Sequence, residues 1–322
     1  MAAVITRRLA LGMALAVGLA GGAMAAYPER PVTMVIPFAA GGSTDVVGRI
    51  VAEKMSHSLG QQVIVQNVGG AGGSLGGQQV ARAEPDGYTI LMGTISTHTL
   101  NPLILKRSPY DPVKDFAPIS LLVMVPNVLA VNPQLPVNTV QELIDLAKSD
   151  PALSYASAGN GTPLHLSGEL FNWMAKTDLA HIPYKGSGPA LTDVLGNQVP
   201  IIFDNLPSAS GYIRSGQLRA LGVTTRERVP SFPDVPTIAE TLPGYETYSW
   251  NALFAPAGTP PEVVARLNSA AIEAMKDPAV IQRMADFSAD IVASTPEVLE
   301  AHVKSEMEKW QPIVAEADVS MD

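Results

Sequence analysis

The sequence has no cysteine. A disulfide framework is therefore excluded, and so are a thiol nucleophile and any thiolate metal ligand. Charge is also scarce: Asp, Glu, Lys and Arg make up 16% of the chain, against roughly a quarter in an ordinary globular protein. Much of the polar work must fall to Gly, Ser, Thr and Asn. Acidic residues outnumber basic ones by 30 to 21, and no basic run occurs. Such a surface repels nucleic acid and anionic lipid, and neither is expected as a partner. Aromatic residues are 6% of the chain, too few to favour a sugar stacked between rings. No G-x-x-x-x-G-K-[ST] occurs, and the glycines from Gly69 to Gly77 lack G-x-G-x-x-G spacing, so ATP and nicotinamide cofactors are not indicated.

One long apolar stretch is present, at the start. "MAAVITRRLALGMALAVGLAGGAMAAYPER" sets Arg7 and Arg8 before an apolar run from Leu9 to Ala20 and closes on Ala23-Met24-Ala25. This pattern predicts a secretory signal peptide over residues 1–26, cleaved near Ala25, and a periplasmic location. Arg7-Arg8 matches a twin-arginine signal only loosely, so the general secretory route is expected. No cysteine follows to carry a lipid anchor, and no later segment holds eighteen uninterrupted apolar residues. Losing Arg7 and Arg8 takes the formal charge from −9 to about −11. The roughly 296 remaining residues suffice for two lobes with a sizeable core.

Apolar runs then alternate with helical patterns, which indicates an α/β fold. "VTMVIPF", "QQVIVQN", "GYTILMGT" and "ISLLVMV" read as strands. "TDVVGRIVAEKMSHSLG" reads as a helix with Val46, Val47, Ile50, Val51 and Met55 on one face and Gly60 as its stop. From Val128 the plan restarts with "VLAVNP". A helix follows, capped by Asn138 or Thr139, and then "LSYASAGNGTPLHLSGELFNWM", whose helix starts at Thr162-Pro163. "YSWNALFAP" reads as a return strand, and two closing helices follow. The pattern predicts two lobes, the second inserted into the first: residues 27–126 plus 248–322, and residues 127–247. The chain is expected to cross between them near Val123–Pro126 and Tyr248–Phe254.

The turns carry the chemistry. In "VIPFAAGGSTDVVGRI", Gly41 and Gly42 permit a tight turn, and Ser43 or Thr44 is expected to cap the helix with its first N–H groups aimed into a cleft. Asp45 suits a helix start; it would accept from a solute or hold the loop's shape. "GGAGGSLGG", "TISTHTLNP", "SAGNGTP" and "KGSGP" also follow apolar runs. Asn160, Thr162 and Ser187 are candidate donors to a carboxylate, Lys185 is the one cation among these turns, and Asp204 ends the run "PIIF". Several turns of this kind indicate an anion site built from neutral donors.

Catalytic patterns are thin. Gly72-Gly73-Ser74-Leu75-Gly76 fits G-x-S-x-G, but "NVGGA" separates Ser74 from its strand, where a nucleophile elbow needs one sharp strand-to-helix turn. A secreted serine hydrolase using Ser74 is the enzyme alternative. His165 and Glu169 lie one helical turn apart, yet no third metal ligand is apparent. No catalytic residue, metal or cofactor is assigned.

These turns and the segments between them bear a family likeness. "VIPFAAGGSTDVVGRIVAEKM", "GAGGSLGG", "EPDGYTILMG", "YDPVKDFAPISLL", "YASAGNGTPLHLSGELF", "HIPYKGSGPALTDVLGNQV", "FDNLPS" and "LFAPAGTP" resemble the Bug family, the extracytoplasmic solute receptors of tripartite tricarboxylate transporters. The likeness runs in consistent order along nearly all of the chain after the leader. It implies a type II periplasmic-binding-protein fold, two α/β lobes joined by crossing strands with the ligand cleft between them. It also implies that a carboxylate is held by the turn Phe38 to Asp45, including Gly41, Gly42, Ser43 and Thr44, and by Gly159, Asn160, Gly161 and Thr162 with Ser187. Asp204 matches the family's "FD" strand end, and Thr97 and His98 are placed to line the more variable side. The chain departs from the family where "QNVGGAGG" lacks an Arg-Pro before its turn, which removes one expected contact to a second carboxylate. Ala40 stands where Pro is common, and Asn197-Gln198 replaces Gly-Gln. The implied partners are a small carboxylate (a di- or tricarboxylate, amino acid or aromatic acid) and membrane permease subunits. A periplasmic sensor kinase is an alternative recipient, and the chain is expected to act as a monomer.

Overall fold

The computed structural model describes residues 27–316; the expected signal peptide lies outside them. The first lobe opens with β1 (Val32–Ile36), α1 (Ser43–Leu59), β2 (Val63–Asn67), α2 (Ser74–Ala81) and β3 (Thr89–Thr94). A π-helical turn over Ser96–Leu100 leads into α3 (Asn101–Ile104). The strand β4 (Phe116–Val131) enters the second lobe, made of α4 (Val140–Ser149), β5 (Ser154–Ser157), α5 (Pro163–Ala175), β6 (Ala180–Pro183), α6 (Ser187–Leu195), β7 (Ile201–Asn205), α7 (Leu206–Arg214) and β8 (Arg219–Val223). The strand β9 (Tyr248–Pro256) returns to the first lobe, completed by α8 (Pro261–Lys276), α9 (Pro278–Asp286), β10 (Asp290–Ile291) and α10 (Pro296–Glu316).

Local signals explain many boundaries. Gly60 ends α1 at φ 73°, a left-handed conformation that glycine adopts without a Cβ penalty. Thr139 caps α4 by accepting from the Glu142 amide, and Thr162 caps α5 by accepting from the His165 amide, with Pro163 at the first helical position. α1 departs from expectation. Its N-cap is Gly42, with no side-chain cap, and Ser43 and Thr44 are already its first helical residues. α6 likewise begins at Ser187 behind Gly186, with no side-chain cap.

The strands form one sheet in the order β2-β1-β3-β9-β4-β7-β5-β6, with β8 and β10 also paired to β4. In the first lobe β1 runs parallel to β2 and β3, and β9 is antiparallel to β3 and β4. In the second, β5 is parallel to β6 and β7, while β4 runs antiparallel to β7 and β8. Each lobe thus has a parallel core plus the antiparallel strand that arrives from the other lobe. "ISLLVMV" and "VLAVNP" read as two strands, but they are one strand of 16 residues. Pro126 looks like a break because it lacks an N–H. It falls where β4 changes partners: Phe116 to Pro126 pair with β9, and Asn127 to Val131 pair with β7.

Alternation along β1 sends Met34 and Ile36 to one face and Val35 to the other, the two-residue period of a strand. The first face packs on α1 and α8 through Val51, Met55, Leu267 and Met275. The second packs on α10 through Leu299, Val303 and Trp310, together with Trp250 and Phe254 of β9. The second lobe repeats this: Leu129, Tyr155 and Phe203 face α4 and α5, and Ala130, Ala156 and Ile202 face α6. Helices cover both faces in each lobe, so the carboxyl ends of the strands are left to meet in the middle. No helix among the described residues is long and apolar enough to cross a membrane.

Candidate binding site between the lobes

The carboxyl ends of β1, β3, β5 and β7 converge on a cavity lined by residues of both lobes. From the first lobe its wall takes Phe38, Gly42, Ser43, Thr44, Thr94, Ile95, Ser96, Ser249, Trp250 and Asn251. From the second it takes Ala158, Thr162, Pro163, Leu164, Ser187 and Asn205. None of these side chains is charged. Four helices start here: α1, α5, α6 and α7. Three of them, behind Gly42, Gly186 and Asn205, have no side-chain cap. Free first-turn N–H groups and the positive ends of the helix dipoles therefore face the same space.

Loop geometry sets up each start. Gly41 has φ 86°, and its amide donates to Asp45 Oδ2 at 3.0 Å. Asp45 also accepts from Arg49 Nε at 3.0 Å and Asn67 Nδ2 at 2.9 Å, and Asn67 donates to the Phe38 carbonyl at 3.1 Å. Burial pushes the Asp45 carboxyl up, but Arg49, the Gly41 amide and Asn67 outweigh it and hold the pKa below its ordinary value. Asp45 thus shapes the loop around the α1 start and is not part of the cavity wall. On the opposite side Thr162 Oγ1 donates to the Gly159 carbonyl at 2.7 Å, closing the turn that leads into α5. The Ser187 hydroxyl donates to Asp204 Oδ1 in a short hydrogen bond, and Ser208 donates to Oδ2 at 2.6 Å. Asp204 is fully buried behind Ser187.

Of the residues singled out in the sequence, Phe38, Gly42, Ser43, Thr44, Thr162 and Ser187 come together in the wall. Asp45, Gly159, Gly161 and Asp204 are buried outside it, and Gly41 and Asn160 are exposed. Thr97 and His98 are elsewhere. The His98 ring stacks on Phe254 with centroids 3.6 Å apart and packs beside Phe116, while its Nδ1 meets Thr97 Oγ1 at 2.9 Å. Burial pushes its pKa down to about 3, so it is a neutral core ring. Lys185 is exposed and does not reach the wall.

Sequence reading missed Thr94, Ser96, Asn205, Ser249 and Asn251. Polar residues at alternate positions of "YSWNALFAP", an otherwise apolar strand, were the available signal. Asn205 Nδ2 donates to Ser249 Oγ at 2.8 Å, joining the lobes at the base of the cavity. Asn251 Nδ2 lies 3.4 Å from Thr44 Oγ1. Thr94 Oγ1, Asn251 Oδ1 and Trp250 Nε1 are buried and have no hydrogen-bond partner among the described residues.

The lobes touch across the mouth of the cavity. Ala39 N donates to the Lys185 carbonyl at 3.0 Å. A Cβ on Gly188 would sit 2.0 Å from the Ala40 carbonyl oxygen, and one on Gly186 2.9 Å from Ala39 N. Ser74 is 3% exposed and outside the wall; its hydroxyl accepts from Asn101 Nδ2 at 3.0 Å and bonds to the Tyr110 hydroxyl. Among the described residues no group of three or more His, Asp or Glu side chains is placed to hold a metal ion.

The chain is similar to known periplasmic binding proteins. The profile of the family described as "Tripartite tricarboxylate transporter family receptor" matches residues 47–319. The periplasmic binding protein BugD is similar at 40% identity and a TM-score of 0.89, over 92% of this chain and all of that one. An R. palustris protein solved with adipate is 36% identical, with a TM-score of 0.88 over 91% of this chain and 99% of that one. MatC from Rhodopseudomonas palustris, solved with bound malate, is 37% identical, with a TM-score of 0.86 over 89% of this chain and all of that one.

Proposed function

Given that the chain belongs to the tripartite tricarboxylate transporter receptor family, a family of periplasmic solute-binding receptors, we propose that it captures a small carboxylate between its lobes and hands it to membrane permease subunits. The observation that carries this reading is the cavity wall: three helix N-termini without side-chain caps and a set of Ser, Thr and Asn groups, with no Lys or Arg. Peptide N–H groups at a helix start stabilise an anion by ~0.3–2 kcal/mol per terminus, and several acting together hold a carboxylate without a cationic side chain. The unpartnered Thr94, Asn251 and Trp250 atoms supply polar contacts for the rest of the solute. The adipate and malate complexes of its relatives support a small dicarboxylate.

In this reading residues 27–126 and 248–322 form one lobe and residues 127–247 the other. Support comes from the partner exchange in β4 at Pro126–Asn127 and from β9, which starts at Tyr248. Closure is a population shift driven by contacts that exist only when both lobes meet the solute. The protein is exported, and no bond is made or broken. Titration calorimetry with malate and adipate against their diamides tests the proposal. Carboxylates are expected to bind and diamides to bind at least ~10-fold more weakly, the loss of about one charge-assisted contact. Equal binding of acid and amide would overturn the electrostatic basis.

A further inference from the structure

Two imidazoles lie directly behind the second-lobe turn of the site. His165 is the third residue of α5, His181 the second of β6, and their rings stack with centroids 4.1 Å apart and planes 17° from parallel. Each ring reaches a different end of the turn. The Gly161 amide donates to His165 Nδ1 at 3.3 Å. His181 Nε2 meets Ser157 Oγ at 2.7 Å, and that oxygen accepts from the Gly159 amide at 3.1 Å. Both backbone donors are therefore held on imidazoles, one directly and one through a hydroxyl. Thr162, the next residue, lines the cavity and starts α5.

We infer that the stacked His165–His181 pair is a positioning brace for the solute-binding turn Gly159–Thr162, with His165 required as a neutral acceptor. This rests on the proposed role of the cavity. The titratable groups facing the pair are few. Glu169, on the same helix, has Oε1 3.8 Å from His165 Nε2, and the Tyr155 hydroxyl donates to that Oε1 at 2.6 Å. The Tyr155 ring also stacks on His181 at 4.9 Å. Because Nδ1 accepts from Gly161, the proton of neutral His165 sits on Nε2, towards Glu169. A second proton has only Nδ1 to occupy, where it opposes the Gly161 N–H donor against donor, and the turn must open. Burial favours the neutral ring and Glu169 opposes it, with the net pKa lowered. Burial and then the His165 ring push His181 down to about 3. The brace is thus set at neutral pH and released by acid.

The test uses the mature protein labelled with 15N-glycine and 13C-histidine. On lowering the pH, the Gly161 amide resonance is expected to move with the His165 ring, at a midpoint below that of free imidazole. His165→Asn places an amide oxygen near the position of Nδ1, so Gly161 keeps its neutral-pH resonance and stops titrating. His165→Phe keeps the stack and removes the acceptor. Its affinity for malate and adipate at pH 7.5 is expected to fall ~5–10-fold, the effect of one lost hydrogen bond, with His165→Asn within ~2-fold of wild type. A purely structural ring would be rescued by Phe and not by Asn. A Gly161 resonance indifferent to the His165 titration, or a Phe variant that binds as well as Asn, overturns the brace. If the wild-type protein binds neither acid, the proposed function fails while the resonance titration still decides the brace. If His165→Phe does not fold, the wild-type and Asn titrations decide it.

Discussion

Ser187 has one hydroxyl proton, and Asp204 determines where it points. With Asp204 ionised, that proton is committed to the buried carboxylate, and Ser187 turns only lone pairs towards an incoming anion. With Asp204 protonated, the carboxyl O–H can donate to Ser187 Oγ and release the serine proton to the cavity. Burial raises the Asp204 pKa from 3.8 to about 6, against the lowering effect of the Ser187 and Ser208 hydrogen bonds, so the exchange falls near neutrality. Carboxylate affinity is expected to rise ~5–20-fold from pH 7.5 to 5.5 as Asp204 takes up its proton. Asp204→Asn donates an amide proton to Ser187 at every pH, so its affinity should equal or exceed wild type at pH 7.5 and lack this step. Titration of solute carboxylates is common to both proteins and cancels in the comparison. Stability follows the same sign. A folded pKa above the unfolded one contributes stability that is complete below pH 3.8 and is lost as pH rises through about 6, roughly 3 kcal/mol in all. Asp204→Asn should therefore unfold at higher denaturant at pH 7.5. A variant with unchanged stability and the wild-type pH slope in calorimetry would remove Asp204 from this role.

The elements that make the site are the turns where strands end and helices begin, and these were the most legible part of the sequence. Gly, Ser, Thr and Pro act through local backbone geometry, so "AAGGSTD", "SAGNGTP" and "KGSGP" announce three of the four helix starts without knowledge of the rest of the chain. The base of the cavity is different. Asn205, Ser249 and Asn251 are placed by register among β4, β7 and β9, and the Ser249–Asn127 hydrogen bond spans 122 residues of sequence. His98 shows the converse failure: its position in the turn after β3 is legible, but its ring direction depends on Phe116 and Phe254, which no local pattern reveals. Tertiary contact also explains a glycine inside a helix. Gly188 lies in the first turn of α6, where alanine would be a better helix former, yet a Cβ there would collide with the Ala40 carbonyl of the opposite lobe. Gly188→Ala is expected to hold the mouth open. Melting temperature without solute should change by no more than a few degrees, because each core is intact. Affinity for malate or adipate should fall ~10-fold or more, since closed contacts carry the binding, and small-angle scattering should show no contraction on adding solute. Wild-type affinity in this variant would mean that the mouth contact is incidental to closure.

Across the whole molecule, two strands do what a flexible linker would not. β4 runs through both lobes and β9 lies beside its first-lobe half, so any closure must bend a hydrogen-bonded sheet at the point where β4 changes partners. Asn127 occupies that point fully buried. Its Oδ1 accepts from Asn205 at 2.5 Å and Ser249 at 3.0 Å, and Thr247 lies 3.4 Å from its Nδ2. Thr247 in turn bonds to Ser167 of α5 at 2.6 Å. The network ties the helix behind the second-lobe turn to the returning strand, and it connects both lobes to groups in the cavity wall. The lobes should therefore open as one cooperative unit. Hydrogen exchange in moderate urea should give the same opening free energy for β1 and β3 as for β5 and β7. A solute at 100 times its dissociation constant should raise both by ~2.7 kcal/mol. Asn127→Leu removes the buried acceptor shared by the Asn205 amide and the Ser249 hydroxyl, at ~1–3 kcal/mol. It should separate the two values, the second lobe opening first because it lacks the long α8 and α10 helices. Different opening free energies in the wild-type protein would show that the lobes fold independently, and the crossing network would then act only as local packing.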